Sequence, residues 1–464
     1  MLANLAIYFG LILAYFPGLI FIGHRRRLLQ FPVTSFTFLG LFVFNVVGSI
    51  FVIVPEFSRR DDYYRDEYAW LLVVQAVIFY FVVFPYAMFS KRKPREIEIN
   101  PQVDRAFFAY LLGVIAGIIA LYFVRVGYPP LLVILQGDLN LQDIIKIRTE
   151  TVYGLPEFWL YNLGFTTIPL MASLYVLAVR AHSPGTLPRA CWVIPICLCI
   201  NALPGGKGNI LDFCTALLIG YFLLSGWGNQ QQEMSRLRNS HLRMSSEKPL
   251  TFSYAKTFFF LIAAFIPVLY MYKIYLGPMI EFGDLFSQLV YRIVGVYSES
   301  IAATVVYVEQ RGLLGGATLP TVRGLFPHDR ILLDSEMHMF MFGAPGSVTI
   351  SGPMEGYLNF GWVGFIVFLL ATFGSMIVIE EFVRSLRWTP LTLSILAFYG
   401  ALATKVSQIS LFAIFISLTY ATLVLLLILV RKILVVWFEF GRVVRSPVLP
   451  DPHPAHSLNI SVKR

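Results

Sequence analysis

"CWVIPICLCINALPGGKGNILDFCTALLIGYFLLSGW" (191–227) is two apolar blocks joined by a turn that sets a lysine between glycines, with Asp212 shortly beyond. Neither block alternates polar with apolar residues as a half-buried strand does, and the second approaches the roughly 18 residues at which a helix spans a bilayer. Similar blocks recur along the 464 residues, which are 57% hydrophobic and 14% charged, with a mean hydropathy of +0.70. A soluble core of this size does not need that much apolar surface. Backbone groups in lipid must be hydrogen-bonded internally, so the blocks are read as helices. The fold class expected is an all-α polytopic membrane protein.

Eleven spans are predicted, near 3–23, 33–55, 68–90, 106–126, 158–179, 190–203, 210–227, 254–274, 355–379, 389–403 and 408–430. Eight of them fill 1–274, with an inside loop at 228–253, and three fill 355–430. A long outside segment, 275–354, forms a subdomain between the two sets, and 431–464 is a cytoplasmic tail. The first span has no basic residue before it and "HRRR" directly after it, the reverse of a secretory signal. It is therefore expected as an uncleaved helix with its N-terminus outside. Alternating from there, "HRRR", "KRKPR", Arg180, Arg189, Arg236, Arg238, Arg243, Lys248, Arg384 and Arg387 all fall inside. So do Arg431, Lys432, Arg442 and Arg445 of the tail, as the positive-inside rule requires. The net charge of +9 is then a topology signal, and no nucleic-acid partner is needed to explain it. The polar stretch 228–250 and the tail after 446 have the composition of mobile or disordered segments.

Cys191, Cys197, Cys199 and Cys214 all lie in apolar blocks and read as small packing residues, without disulfide or zinc spacing. Three outside segments stand out. "EFSRRDDYYRDEY" (56–68) is acidic, and Asp61, Asp62, Asp66 and Glu67 are either a solvated loop or a metal site. The segment 127–157 contains "DIIKIRTETVYGLPE". The long third segment is rich in Phe, Met, Leu and Gly and is expected to fold against the membrane.

Within it, "DLFSQLVYRIVGVYSESIAATVVYVEQ" (284–310) has helical periodicity, and the spacing places Gln288, Arg292 and Glu299 on one face. So apolar a helix lies in the interface or packs on other helices. Arg292 and Glu299 are either a satisfied ion pair or a site with the arginine aimed at an anion. The following loop contributes Arg323, His328, Arg330, His338 and Glu355. His328 reads as a loop residue beside Asp329. His338, among Met337, Met339, Phe340 and Met341, has the apolar walls that keep an imidazole neutral and basic. Glu355, in the first turn of the next span, complements the helix dipole and is also placed to serve as a base.

The glycines at 205, 206 and 208 permit a tight, close-approaching turn at the outer end, with Lys207 at headgroup level and Asp212 a turn deeper. Lys207 either snorkels there or binds an anion. Lys405, in "GALATKVSQIS", repeats the arrangement at the last outward connection. Ionisable residues are rare in the other spans, which gives these few more weight. Lys207, Lys405, Arg292, Arg323, Arg330 and Arg148 of "KIRTETVYG" together suit a lipid-linked pyrophosphate, since arginine binds phosphate oxygens bidentately and lysine adds a point charge.

This organisation resembles the Wzy-type O-antigen polymerase family of bacterial repeat-unit polymerases. "GGKGN" (205–209) is similar to that family's Gly-rich turn with a basic residue, with Lys207 in place of the commoner arginine. "EGYLNFGWVGFIVFLLATFGS" (355–375) is similar to its segment after the long loop, and "IRTETVYG" is a fainter match that bears on Arg148. The resemblance implies a GT-C-like glycosyltransferase in the bacterial inner membrane, with its N-terminus periplasmic and its C-terminus cytoplasmic. It implies transfer of a glycan from undecaprenyl pyrophosphate to a second lipid-linked repeat unit, and admits a chain-length regulator as partner. Neither cofactor nor metal is expected. On this reading Arg292 and Arg323 stabilise the departing diphosphate, and Glu355 or His338 takes the acceptor proton. Arg148, Lys207, Asp212, Glu299, Arg330 and Lys405 bind substrate. The rival expectations are an O-antigen ligase, a metal-dependent enzyme using the acidic first loop, and a flippase for lipid-linked oligosaccharide.

Overall fold

The computed structural model of the chain describes residues 2–23, 29–58, 60, 63–90, 97–136, 143, 146–147, 150–151, 155–183, 185–204, 207–238, 282–319, 331, 333–343, 348–408 and 418–445. Among these residues the regular structure is entirely helical. The first half holds α1 (Leu2–Gly23), α2 (Pro32–Ile53), α3 (Arg65–Phe89), α4 (Pro101–Val126), α5 (Pro130–Gln136), α6 (Phe158–His182), α7 (Ala190–Ala202) and α8 (Lys207–Arg238). The second half holds α9 (Phe282–Val290), α10 (Val296–Arg311), α11 (Leu333–Phe342), α12 (Gly352–Ser385), α13 (Pro390–Ala403) and α14 (Leu418–Arg445). Eight of the described helices are long and apolar enough to cross a membrane: α1, α2, α3, α4, α6, α8, α12 and α14. α7 and α13 are apolar but shorter. The chain is a polytopic, all-α membrane protein.

Several expected spans change. The span at 254–274 lies outside the described residues. The last span is described from Leu418, with 409–417 outside the described residues, and it runs on to Arg445, past the expected end at 430. The polar stretch expected to leave the membrane as a loop at 228 continues α8 to Arg238, because Gln, Glu, Met and Arg are good helix formers and a helix need not stop where hydropathy does. Cys197, Cys199 and Cys214 are free thiols.

The segments before α2, α4 and α13 meet the middle of α8 at one end of the bundle, where the Trp227 and Trp388 rings lie 6.1 Å apart. There Glu98 N–H donates to the Trp388 carbonyl (2.8 Å), and Trp227 Nε1 donates to the Leu29 carbonyl (2.9 Å). At the opposite end Leu131 N–H donates to Leu203 O (3.1 Å), and Glu67 accepts from Trp362 Nε1 (2.8 Å) and the Tyr357 hydroxyl (3.1 Å). α13 runs through the middle against α2, α6 and α8. Its start is sharply defined: Pro390 takes the first helical position, and Thr389 and Thr392 bond each other's backbone N–H in a reciprocal cap.

The helix expected at 284–310 forms, but a π turn at Tyr291–Gly295 divides it. α10 does not float in the interface. It packs on α2, α3, α11 and α12, and Ser298 Oγ donates to the Phe44 carbonyl (2.6 Å).

α12 is two helices. Phe360 leaves helical geometry and Gly361 takes φ 64°, ψ −147°, a combination essentially reserved for glycine. The chain reverses there, so 352–359 folds back along the start of the spanning arm 362–385. A Cβ on Gly356 would overlap the Gly364 carbonyl and lie 2.8 Å from the Phe368 ring, and a Cβ on Gly364 would overlap the Gly356 carbonyl. The span expected at 355–379 therefore begins only after the reversal. Asn359 locks this corner: its Nδ2 donates to Thr318 Oγ1 (2.7 Å) and to the Glu355 carbonyl (2.7 Å), while its Oδ1 accepts from Gly316 N (2.9 Å).

At the Trp227–Trp388 end, Glu380 does the work of a missing cap. α2 begins after Phe31, which offers no side-chain acceptor. The Glu380 carboxylate, 0% exposed, instead accepts from Val33 N (3.1 Å), Thr34 N (3.3 Å) and the Thr34 hydroxyl. The first N–H groups of a helix have no intrahelical partner, and leaving them unpaired in an apolar site costs about 1–3 kcal/mol each. Glu380→Leu is expected to destabilise the full-length protein by about 3 kcal/mol or more, and Glu380→Gln by clearly less because it keeps one acceptor oxygen. Denaturant unfolding in detergent measures both, and equal losses would contradict the capping role.

Candidate functional site

Near the end where Leu131 bonds Leu203, α6, α7, α8, α13 and the start of the described part of α14 line a cavity of about 260 Å³. Its walls mix amides (Asn162, Asn201, Asn209), hydroxyls (Thr166, Thr167, Thr215, Thr404, Tyr420) and apolar faces such as Phe213 and Phe398. Asp212 and Lys405 both line it and form an ion pair. Asp212 lies five residues into α8, about 7 Å from its start. Lys405 sits just beyond α13, where a turn fixes it: Lys405 N–H donates to Leu402 O (2.9 Å), and Gln408 N–H to Lys405 O (2.8 Å). A π turn at Leu163–Thr167 in α6, a feature frequent at functional sites, carries Thr166 and Thr167 into the wall. The Thr166 hydroxyl contacts the side chain of Asn162 (3.2 Å), which orients that amide.

The side chain of Lys405 is 18% exposed and that of Asp212 47%. A pair this open is worth about 1 kcal/mol or less to the fold. An amide-lined cavity with one charge of each sign is chemically suited to hold a polyol, to move a proton to the carboxylate, and to meet an anion with the ammonium.

Thr215 and Thr404 belong to a second wall as well. They border an apolar groove of about 410 Å³ between α2 (Phe36, Leu39, Val43, Phe44) and α8 (Leu218, Ile219, Phe222). Thr215, Leu218, Ile219 and Phe222 fall at i, i+3, i+4 and i+7, one stripe of a helix running about 10 Å along its axis. The polar cavity and the apolar groove thus adjoin at two hydroxyls.

The other residues proposed from the sequence divide into separate groups. Arg148, Arg323, His328, Arg330, Asp61 and Asp62 lie outside the described residues, as does the side chain of Lys207, which opens α8. Arg292 is exposed and stacks on Phe342 of α11, 6.0 Å from the ring centre. The ring of His338 lies 4.8 Å from the same phenyl, so the structure brings Arg292 and His338 to one aromatic side chain. Arg292 and Glu299 do not share a face: Glu299 is buried and accepts from the Tyr291 hydroxyl. The π turn adds a residue to one turn and rotates everything after it relative to regular helical spacing. Glu355, also buried, accepts from the Thr318 hydroxyl (3.1 Å) within the Asn359 corner and does not line the cavity. α11 is held to α10 by Arg311, which pairs with Glu336 (2.6 Å) and stacks on Tyr307 and Phe340. Among the described residues no three His, Cys, Asp or Glu gather as a metal-binding group.

The cavity's amides escaped the sequence reading, which followed charge. A usable signal existed: Asn201 and Asn209 flank the Gly-Gly-Lys-Gly turn inside otherwise apolar blocks, where uncharged polar groups also need a reason. No family model matches the chain, and comparisons with curated proteins and with solved structures find no match either.

Proposed function

We propose that the chain is a GT-C-like membrane glycosyltransferase that polymerises undecaprenyl-pyrophosphate-linked oligosaccharide repeat units at the outer face of the bacterial inner membrane, with inversion and without a metal. One observation carries the reading: a polar cavity with a carboxylate and an ammonium adjoins an apolar groove in the spanning region, meeting it at Thr215 and Thr404. That is the shape of a substrate with a sugar head and a polyprenyl tail. The tail lies in the α2–α8 groove and the glycan in the cavity.

In the transfer, an acceptor hydroxyl attacks the anomeric carbon of the donor, and the bond from that carbon to the diphosphate oxygen breaks. The hydroxyl proton passes to Asp212, and the electron pair leaves with the diphosphate, whose charge Lys405 meets. The two groups are already paired in the resting cavity, which supports giving both a role at one reacting centre. Asp212 replaces Glu355 and His338 as the proposed proton acceptor, because it lines the cavity and they do not.

The test is the purified full-length protein in proteoliposomes, supplied with a set of synthetic undecaprenyl-diphosphate-linked repeat units and no other acceptor. Products should lengthen by whole repeats, with one undecaprenyl diphosphate released per bond and no loss of rate on EDTA treatment. Transfer only to an added lipid A core would make the protein a ligase, and movement of the substrate across the bilayer without bond formation would make it a flippase. Either result overturns the polymerase reading.

A further inference from the structure

We infer that Asn201 reads a sugar hydroxyl in the Asp212–Lys405 cavity and is a specificity-determining residue for the acceptor glycan; this rests on the glycosyltransferase reading of that cavity. Asn201 lies in the last turn of α7 and lines the cavity, yet the residue is only 2% exposed. Its Oδ1 atom is fully buried and has no hydrogen-bond partner among the described residues. The backbone around it is braced rather than loose, since Leu203 N–H donates to Ile200 O (3.2 Å) and Leu203 O accepts from Leu131 of α5 (3.1 Å). A buried carboxamide in a well-packed wall is normally satisfied by the protein, and one that is not carries a destabilisation with no structural return. A ligand group that supplies the partner accounts for its retention.

The chemistry of that ligand follows from the wall. A carboxamide offers one acceptor and two donors, which matches the paired donor and acceptor of a hydroxyl. Its last torsion is soft, so it turns toward the cavity at little cost. Asn209 and the Thr166-held Asn162 also line the cavity. Phe213 and Phe398 offer apolar faces for the C–H side of a sugar ring. Asp212 and Lys405 balance each other, so the rest of the cavity recognises a neutral polyol rather than a second anion.

The experiment measures binding, not turnover. Full-length protein in nanodiscs is titrated with methyl glycosides of glucose, galactose, N-acetylglucosamine and rhamnose, and with each of their monodeoxy derivatives. The wild-type chain should bind at least one parent glycoside and lose roughly ten- to hundredfold on deoxygenation at one position, the cost of leaving one partner of a buried hydrogen bond unpaired. Asn201→Ala should bind that parent more weakly by a similar factor and be indifferent to the same deoxygenation, while Asn201→Asp keeps an acceptor oxygen and keeps the discrimination. Asn201→Ser carries the test if the alanine variant does not fold. Unchanged deoxy discrimination in the alanine or serine variant overturns the inference, as does a wild-type chain that binds none of the panel. The two readings separate cleanly. Hydroxyl discrimination through Asn201 in a protein that makes no polymer sinks the polymerase alone, and polymer made with discrimination independent of Asn201 sinks only the role given to that residue.

Discussion

Asp212→Asn lowers the rate of repeat-unit polymerisation by about 10²–10⁴-fold, the range lost when a positioned general base is removed, and leaves the protein folded. Lys405→Met costs a similar factor, about 10²–10³, by removing the charge that meets the departing diphosphate. The pairing of these two residues makes a sharper experiment available. The double exchange Asp212→Lys with Lys405→Asp restores an ion pair of the same polarity balance but moves carboxylate and ammonium to each other's backbone. If the pair serves only to tie α8 to the turn after α13, the exchanged protein works and each single variant fails through instability. If the groups act on substrate, the exchanged protein is folded and inactive. Thermal unfolding and glycan ladders, read on the same four proteins, decide between these outcomes. The stability changes should stay small, about 1 kcal/mol or less, because Asp212 is nearly half exposed. An active exchanged protein rejects the proposed chemistry.

The second large effect is on the fold. Gly356→Val and Gly364→Val each place side-chain atoms against the other glycine's backbone carbonyl, where no flexible end can move aside. Overpacking of this kind costs about 3 kcal/mol or more, and here it opposes the reversal itself. Both variants should fail to give monodisperse protein in detergent. Gly374→Ala is the control, because a Cβ at Gly374 meets nothing within 4 Å; on the same helical arm it should be neutral or slightly stabilising. Gly361→Val should fail for a different reason, its φ of 64°. Normal yield from Gly364→Val would mean that 352–359 does not fold back on the spanning arm. The Asn359 corner, with the buried Glu355 beside it, would then lose its basis.

The spans of α1, α2, α3, α4, α6 and α8 were legible in the sequence because hydropathy is a local property. A run of some twenty apolar residues must hydrogen-bond within itself in lipid, whatever its neighbours do. The same local logic marked the late arginine-bearing helix. It misplaced what depends on a partner. "EGYLNFGWVGF" (355–365) reads as the start of one span, yet Gly361 reverses it and Gly356 meets Gly364. Spacing put Arg292 and Glu299 on one face, and a π turn sent one to the surface and the other into the interior.

Composition and periodicity alone determined that this is a many-helix membrane protein and which of its connections are basic. The tertiary structure decided that Asp212 meets Lys405 beside Asn201, and that their cavity adjoins the groove between α2 and α8. The reason is physical: helix formation is settled by contacts a few residues apart, whereas the residues of this cavity come from five helices. Only the packing of small residues and bent segments, which no single stretch encodes, fixes how those helices meet.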